Sequence, residues 1–345
     1  MKNNSAFNTY FAAANGYLGF RSYFNKIFSP NDYKRIYVLK GGPGTGKSSL
    51  MKKIKSCFCE MGVEVESILC SSDPGSHDGI IIKGENGKFA VLDGTAPHET
   101  DAKIPGAVDE IVNLGEAWNR DALMNFREEI IMINERKKSH YGNAYKYLKL
   151  AGELAPIKAS ECSLNFQLCK DFTEEIIPNF RYKKQGRNRE VKLISSFGKE
   201  GYKTLDQSFF SVKNQISIVG NPADRTAFMD YLKNESIRRN VDFTLFPTPL
   251  SDSITEGIYF EENDTFISTA VNSENKVDIS GFVSHIENDM CDSKFYDELI
   301  NSSKEEFLKA SRAHFELESI YTPAMCFDKI DAIRESIIAD IKSMI

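Results

Sequence analysis

Residues 35–51 read RIYVLKGGPGTGKSSLM. The apolar run at 36–39 predicts a buried strand, and the residues from Ser49 to Glu60 show the pattern of a helix. Between them, residues 41–48 (the glycine loop) fit G-x-x-x-x-G-K-[ST] without a mismatch. Strand, loop and helix therefore follow one another in the order that this phosphate-binding motif requires. They predict an α/β fold with a parallel sheet flanked by helices.

The residue types of the glycine loop suit a nucleotide. Glycines let the backbone curl so that its N–H groups point toward phosphate oxygens, and the following helix adds the positive end of its dipole. Lys47 would reach the β- and γ-phosphates, and the Ser48 hydroxyl would bind Mg²⁺. We therefore expect ATP and Mg²⁺ as ligands. The expected nucleotide-binding residues are Gly41, Gly42, Pro43, Gly44, Thr45, Gly46, Lys47, Ser48 and Ser49.

A second group for the metal is expected on another strand. Residues 89–93 read FAVLD, an apolar run that ends in an acid, as in the Walker B pattern. Asp93 would hold Mg²⁺ through a water molecule and is, with Lys47, the main catalytic candidate. Gly94 follows it where many P-loop ATPases carry a glutamate that polarises the attacking water. The sequence therefore assigns no general base.

Further polar residues are expected at the same edge of the sheet. Residues 63–69 alternate like a strand and run into the loop CSSDPGSHDG at 70–79. Because ligands of parallel sheets bind at the carboxyl ends of strands, this loop and residues 93–98 are expected on the phosphate side. Asp-Pro-Gly and Asp-Gly are also ordinary turn formers, so a structural role is the alternative. The candidates are Asp73 for catalysis, and His77, Asp78 and His98 for positioning water or a second substrate.

The chain contains an internal repeat. Met51 pairs with Met229, and the same spacing relates Gly79 to Gly257 without a gap. Both halves also end in long helical stretches, at 121–154 and 166–177 in the first and at 302–321 and 326–345 in the second. These matches predict a tandem duplication of a P-loop NTPase-like unit, with domains at 1–185 and 186–345.

The second repeat lacks the chemistry of the first. Arg225 stands at the position of Lys47, and no glycine precedes it. Thr269 stands at the position of Asp93, although Thr226 keeps a hydroxyl beside the basic residue. A planar guanidinium does not reproduce a compact ammonium group. We expect the second repeat to fold but to bind nucleotide poorly or not at all.

The repeat also sorts the loop residues. Asp73 becomes Ser251, His77 becomes Thr255 and Asp78 becomes Glu256, whereas glycine is kept at Gly79 and Gly257. Positions that change together with the glycine loop favour a chemical role, which applies to Asp73, Asp93 and His77. Positions that keep their character favour a role in the fold, which applies to Gly79 and in part to Asp78.

Composition narrows the class of protein. The 345 residues carry a net charge of −6 and 41% hydrophobic residues, which excludes a fibrous or disordered chain. An acidic chain is a poor nucleic-acid binder, although the basic cluster at 181–192 would suit either a solvated linker or a phosphate, RNA or acidic-partner contact. No apolar run reaches the roughly 18 residues of a membrane helix. We expect a cytoplasmic protein with reduced cysteines, no signal peptide and no membrane contact.

Two segments leave their structure open. Residues 105–118 are expected to form a helix with Trp118 on its buried face. The helix at 121–155, with the charged run Glu135-Arg136-Lys137-Lys138, would pack either as a helical hairpin or as a dimer surface.

Several motifs resemble a bacterial family of tandem P-loop proteins, generally described as ATPases or nucleotide-binding proteins. They are GGPGTGKSSLMKKI at 41–54, CSSDPGSHDG at 70–79, DGTAPH at 93–98, PGAVDEIVNLGEAW at 105–118 and AYKYLKLA at 144–151. The resemblance implies ATP binding at 41–49 with Asp93 on the metal, and it implies no substrate. Members of the family often carry an intact loop in each half, and this chain departs from that in its second half.

Three functions remain open at this point. The first is a Mg²⁺-dependent ATPase or ATP-driven switch, in which Arg225, Arg238 or Arg239 of the second repeat would supply a charge to the first site. The second is a small-molecule or nucleotide kinase, which the missing glutamate after Asp93 favours and the lack of an arginine-rich lid disfavours. The third is a nucleotide-gated scaffold with little turnover, acting on an unknown protein or small-molecule partner.

Overall fold

Two six-stranded sheets, one in each half of the chain, form the centre of the fold. The computed structural model describes residues 6–97, 99–158, 162–176, 189–285 and 293–345. The strands are β1 (Thr9–Phe11), β2 (Ala13–Gly16), β3 (Gly19–Ser22), β4 (Arg35–Lys40), β5 (Glu64–Leu69), β6 (His77–Gly84), β7 (Gly87–Asp93), β8 (Asp109–Asn113), β9 (Cys162–Leu164), β10 (Arg189–Val191), β11 (Ser195–Gly198), β12 (Gly201–Thr204), β13 (Asn214–Val219), β14 (Phe243–Pro247), β15 (Thr255–Phe260), β16 (Thr265–Ser268), β17 (Lys276–Asp278) and β18 (Val283–His285). The helices are α1 (Phe24–Ile27), α2 (Lys47–Glu60), α3 (Arg120–Met124), α4 (Arg127–Lys158), α5 (Phe166–Ile176), α6 (Pro222–Arg238), α7 (Ser293–Tyr321) and α8 (Phe327–Met344).

The two sheets have the same topology. Their strand orders are β1-β5-β6-β7-β4-β8 and β10-β14-β15-β16-β13-β17. In each sheet one strand, β6 or β15, is antiparallel to both of its neighbours, and the other pairings are parallel. The chain is therefore an α/β protein with two mostly parallel sheets flanked by helices.

Burial explains the apolar run of β4. Ile36, Tyr37, Val38 and Leu39 are all at most 1% exposed. A strand in the middle of a sheet with both faces covered reads as a continuous apolar run rather than an alternating one. On α2, the buried residues Leu50, Met51, Ile54 and Phe58 follow the helical period and pack against the same sheet.

The terminal helices of each half pack on the sheet of the other half. α8 contributes Ile330, Ile337, Ile338 and Ile341 to the core of the first sheet. α5 contributes Cys169 to the core of the second sheet, where Phe172 and Ile176 pack around it. The long helices α4 and α7 pack against one another. The helix expected at 121–155 thus packs against a helix of the other repeat, and not in a hairpin with the helix that follows it in the chain. The boundary at 185/186 lies outside the described residues.

Two β-hairpins add a second reciprocal contact. The turn of β2–β3 approaches the loop that follows β14, so that a Cβ on Gly16 would lie 2.6 Å from the Leu250 carbonyl oxygen. The turn of β11–β12 approaches the loop that follows β5, where a Cβ on Gly198 would lie 3.2 Å from the Ser72 carbonyl oxygen. The hairpin β2–β3 therefore supports the second sheet at the end of β14, and the hairpin β11–β12 supports the first sheet at the end of β5.

One predicted element is wrong. Residues 105–118 do not form a helix, because β8 occupies Asp109–Asn113 and a 3₁₀ turn follows at Leu114–Ala117. β8 pairs in parallel with β4 at the sheet edge, where Val112 is buried and Ile111 is exposed. The strand is short, and it forms here because the backbone of β4 offers hydrogen-bond partners along the edge of the sheet.

The structure bears on two further expectations, the absence of a membrane helix and the basic cluster at 181–192. No described helix combines the length and the apolar character that a bilayer span requires. Most of the basic cluster at 181–192 falls outside the described residues. Its last residue, Lys192, lies 3.5 Å from Glu190 and stands over the ring of Tyr10.

Candidate functional site

The glycine loop connects the carboxyl end of β4 to the first turn of α2. Gly44 and Gly46 have φ angles of +67° and +79°, a left-handed region in which side chains other than glycine are strained. Gly46 immediately precedes α2, so the unpaired N–H groups of the first helical turn open toward the loop. The Thr45 hydroxyl donates to the Gly42 carbonyl oxygen at 2.9 Å and braces the turn.

Lys47 folds back over this loop. Its Nζ donates to the carbonyl oxygens of Gly41 at 2.8 Å and Gly42 at 3.0 Å. The same atom lies 3.6 Å from Oδ2 of Asp93. The structure therefore brings the two main catalytic candidates of the sequence together.

Asp93 ends β7, the strand beside β4, and its backbone pairs with that of Leu39. Oδ1 accepts hydrogen bonds from the backbone N–H of Thr95 at 2.9 Å and from the Thr95 hydroxyl at 2.6 Å. Burial raises the pKa of Asp93, and the charge of Lys47 and the Thr95 hydrogen bonds oppose this. Thr95 thus orients the carboxylate and leaves Oδ2 on the side of Lys47, a role that the sequence analysis missed although DGTAPH contains it.

Ser48 and His77 meet at the start of β6. The backbone N–H of His77 donates to Ser48 Oγ at 3.0 Å. Burial, followed by the charges of Lys55 and Lys52, lowers the pKa of His77 to about 4. The ring is therefore uncharged at neutral pH, and among the described residues neither ring nitrogen has a hydrogen-bond partner.

The acidic loop residues have separate partners. Asp73 forms an ion pair with Lys199, with Nζ 3.0 Å from Oδ1. Lys199 lies in the turn of β11–β12 in the second repeat. Asp78 is buried and interacts with the Cys70 thiol, whose pKa rises through burial and the charge of Asp78. Asp73 is thus held at the contact between the repeats. His98 lies outside the described residues.

The end of α7 covers the glycine loop, a contribution that the sequence analysis missed. A Cβ on Gly44 would lie 2.7 Å from Thr322 Oγ1 and 3.3 Å from Cβ of Tyr321. His314 lowers the pKa of Glu318, one turn earlier on α7, burial opposes this, and the backbone amide of Gly44 lowers it further. Trp118 packs beside Gly42, with its ring 5.8 Å from that of Tyr321.

The corresponding place in the second sheet is built differently. Gly79 of β6 pairs with Leu92, and its counterpart Gly257 of β15 pairs with Ser268. Asp93 follows Leu92 and Thr269 follows Ser268, so Asp93 and Thr269 occupy equivalent positions. There Arg225 donates through Nη1 to the Thr269 carbonyl oxygen at 3.0 Å. The preceding turn is short, because Asn221 caps α6 and Pro222 begins it.

The arginines expected to act across the repeats are engaged elsewhere. Arg238 and Arg239 both pair with Glu235 on their own helix. Arg225 contacts the Thr269 backbone of its own sheet. Arg239 also lies 3.8 Å from Glu174 of α5, which packs on the second sheet. The contacts that the structure gives these three arginines therefore lie around the second sheet.

The donor set at the first site fits Mg²⁺ bound together with phosphate. No group of three or more His, Cys, Asp or Glu side chains suited to a metal is found among the described residues. Mg²⁺ needs no such cage, since one or two carboxylates with phosphate oxygens and water suffice. The Ser48 hydroxyl and Oδ2 of Asp93 are the groups that would hold it.

Comparison with known proteins adds no assignment. No protein-family model, no curated protein and no solved structure matches this chain. The resemblance to tandem P-loop proteins therefore stays a prediction that rests on the motifs.

Proposed function

We propose that the chain is an ATP-binding P-loop protein, acting as a Mg²⁺-dependent ATPase or an ATP-driven switch with its nucleotide site in the first repeat. The observation that carries the proposal is the position of Lys47, whose ammonium group lies over the glycine loop and 3.6 Å from Asp93. A cation above a ring of backbone amides, beside a carboxylate on the neighbouring strand, suits a magnesium-bound triphosphate.

The roles follow from the geometry. The amides of the loop and of the first turn of α2 would cradle the phosphates, and Lys47 would neutralise the developing charge. Ser48 and Asp93 would hold Mg²⁺, with Thr95 fixing the carboxylate. The metal, when bound, would supply a positive charge that offsets the negative charge of the phosphates.

The location is part of the proposal. Cys57, Cys59, Cys70, Cys169 and Cys326 are free thiols. Free thiols persist in a reducing compartment, so they support the cytoplasm, where ATP is also abundant.

The scaffold alternative has one observation in its favour. Gly94 follows Asp93, where many P-loop ATPases carry the glutamate that polarises the attacking water. A site without a free base near the phosphate would hold ATP with little turnover. This form of the proposal keeps the nucleotide site and removes only the reaction.

The single tryptophan of the chain provides the test. Trp118 packs beside Gly42 of the glycine loop, so its fluorescence should respond to a bound nucleotide. We expect saturable quenching or enhancement with MgATP in the wild type and none in Lys47→Ala. Phosphate release, measured on the same two proteins with and without a pool of metabolites, RNA and DNA, then separates the alternatives.

The outcomes are distinct. Basal release that Lys47→Ala abolishes supports the ATPase. Consumption of ATP only with one metabolite, without free phosphate, supports a kinase, and saturable binding without turnover supports the scaffold. A wild-type protein whose fluorescence ignores MgATP, with equilibrium dialysis also negative, would reject nucleotide binding.

A further inference from the structure

Residues 73–76 (the DPGS turn) close the loop that follows β5. The N–H of Ser76 donates to the Asp73 carbonyl oxygen at 2.8 Å, which is the hydrogen bond of a four-residue turn. Lys52 of α2 donates from Nζ to the Gly75 carbonyl oxygen at 2.7 Å. One side of the turn is therefore fixed to the helix that begins at the glycine loop.

His77 joins the DPGS turn to Ser48. It follows the turn directly, and its backbone N–H donates to Ser48 Oγ at 3.0 Å. A hydroxyl oxygen has two lone pairs, so this hydrogen bond holds Oγ in place and leaves the second lone pair for a cation. The position of the DPGS turn therefore sets the position of the hydroxyl that would bind Mg²⁺.

The second repeat fixes the other side of the DPGS turn. Lys199, in the turn of β11–β12, lies with Nζ 3.0 Å from Oδ1 of Asp73. The Lys199 side chain is 18% exposed and that of Asp73 is 38% exposed, so the ion pair is partly shielded from water and salt. A Cβ on the preceding Gly198 would lie 3.2 Å from the Ser72 carbonyl oxygen, so the backbones of the two repeats approach closely beside the ion pair. The DPGS turn is thus held between α2 and the second repeat.

A buried amide holds the same hairpin in place. Asn15 of β2 is buried, and its Nδ2 donates to the Phe197 carbonyl oxygen at 2.8 Å and to Ser72 Oγ at 3.4 Å. Its Oδ1 accepts a hydrogen bond from the Tyr145 hydroxyl of α4 at 2.8 Å. The hairpin β11–β12 therefore cannot leave the loop after β5 without breaking buried hydrogen bonds, which is costly.

The reciprocal contact in the second sheet is built from different residues. The two hairpins have the same register, which places Tyr17 at the position of Lys199. Ser251 stands at the position of Asp73. Arg21 holds that hairpin instead, through an ion pair at 3.4 Å with the residue that follows Ser251. The fold thus holds a hairpin in this place by other means, which favours a functional rather than a purely structural reason for the pair of Asp73 and Lys199.

We propose that Asp73 and Lys199 are positioning residues of the Mg²⁺ site in the first repeat. Their ion pair fixes the DPGS turn, and the turn fixes the Ser48 hydroxyl through the N–H of His77. The second repeat, although its own turn lacks the pattern of the glycine loop, thus sets the affinity of the first repeat for the metal. This inference rests on the proposed function and couples binding of the metal nucleotide to the contact between the repeats.

Nucleotide titrations with and without the metal test this role. Full-length protein is titrated with ATP in excess Mg²⁺ and in EDTA, following Trp118 fluorescence, and the ratio of the two affinities measures the contribution of the metal. We expect Lys199→Met and Asp73→Asn each to lower this ratio about tenfold, as the loss of groups that orient a metal ligand does. Binding in EDTA should stay within about twofold. An unchanged ratio, or an equal loss under both conditions, would overturn the proposal.

Lys203→Met is the matched control. Lys203 lies on the same hairpin as Lys199 and pairs with Glu200 of that hairpin, so its loss should change neither affinity. A ratio that falls as far in this variant would assign the effect to the charge of the hairpin and reject the ion pair. The double variant of Asp73→Asn with Lys199→Met should lose no more than either single variant, because both remove the same contact. Additive losses would mean that the two residues act separately.

Hydrogen exchange of the protein without nucleotide gives a readout that involves no metal. The His77 amide is protected by its hydrogen bond to Ser48 Oγ. Lys199→Met should speed exchange of the segment 70–79 severalfold, because the turn opens more often, and Lys203→Met should not. Unchanged exchange in Lys199→Met would show that the ion pair does not fix the turn, and would reject the inference.

Failure of the inference is separable from failure of the proposed function. If the wild type binds MgATP and the variants keep its dependence on Mg²⁺, only the inference falls. If the wild type binds ATP under neither condition, the proposed function falls, and the role in a metal site falls with it. Thermal melts of each variant exclude unfolding as the cause of a loss.

Discussion

The turns after β4 and β13 occupy the same place in two sheets of identical topology, yet their basic residues contact different groups. In the first, Lys47 reaches the backbone carbonyls of Gly41 and Gly42 and lies near the carboxylate of Asp93. In the second, Arg225 ends on the Thr269 carbonyl and the shorter turn runs directly into α6. The scaffold therefore tolerates loss of the site, because the core residues and the chemical residues are different residues.

The core residues support this separation. Leu50, Met51 and Ile54 of α2 are buried as Phe228, Met229 and Leu232 are in α6. Both helices pack on their own sheets through these positions. Hydrophobic burial depends on volume and pattern, which the second repeat keeps, whereas phosphate binding depends on one loop conformation and one charge.

The most direct test of this difference removes the basic residue from each turn. Lys47→Ala should weaken MgATP binding at least about 100-fold, which is about 2.7 kcal/mol, because its charge-assisted hydrogen bonds to phosphate are lost. Arg225→Ala should leave binding within about twofold. Fluorescence titration of Trp118 measures both, and an equal loss in the two variants would mean that the second repeat takes part in nucleotide binding.

A second comparison concerns the acidic residue near the start of the antiparallel strand, which is Asp78 in the first repeat and Glu256 in the second. Glu256 of β15 is 2% exposed and accepts hydrogen bonds from the hydroxyls of Ser195 at 2.7 Å and Tyr202 at 2.5 Å. Burial raises its pKa to about 7, and the two hydrogen bonds oppose this. The folded protein therefore binds a proton between about pH 4.5 and 7 that the unfolded chain releases, so this contribution to stability is lost as pH rises through 7.

The expected size of this contribution is about 2 kcal/mol between pH 5 and 8. Glu256→Gln keeps the acceptor oxygen and cannot ionise. The difference in unfolding free energy between wild type and variant, measured in urea at several pH values, should fall by that amount as pH rises. The opposite contribution of His77, whose pKa is about 4, is present in both proteins and cancels. A difference that is flat with pH would contradict the buried acid.

The smallest expected effect tests the shared scaffold. A Cβ on Gly257 would lie 2.7 Å from the ring of Phe266, and one on Gly79 would lie 3.0 Å from the ring of Phe28. Both rings are buried, so overpacking should destabilise Gly257→Ala by about 2 kcal/mol and Gly79→Ala by about 1 kcal/mol.

Gly142 of α4 provides the control for this pair, since nothing lies within 4 Å of its Cβ position. Gly142→Ala should be neutral or stabilising, because alanine favours a helix. Denaturant midpoints of the three variants give the order. A neutral Gly257→Ala would show that the aromatic ring moves aside, and would remove the structural reason for keeping glycine in both repeats.

The local sequence pattern is sufficient to predict the strand β4, the glycine loop and α2. The repeat can be recognised because buried positions recur at a fixed spacing. The pairing of Lys47 with Asp93 also followed, since neighbouring parallel strands end at the same edge. Residues 105–118 were mistaken for a helix because a short edge strand has few residues in which to show its period, and its partner β4 is distant in sequence.

The sequence by itself determined that one half of this protein carries the pattern of a phosphate-binding loop and the other half a changed copy of that pattern. Only the tertiary structure decided that the copies exchange their terminal helices, and that Tyr321, Thr322 and Lys199 meet the first site. A helix pattern states which face is buried but not against which sheet. Contacts between residues about 180 positions apart, such as that of Lys137 on α4 with His314 on α7, leave no local period in the sequence.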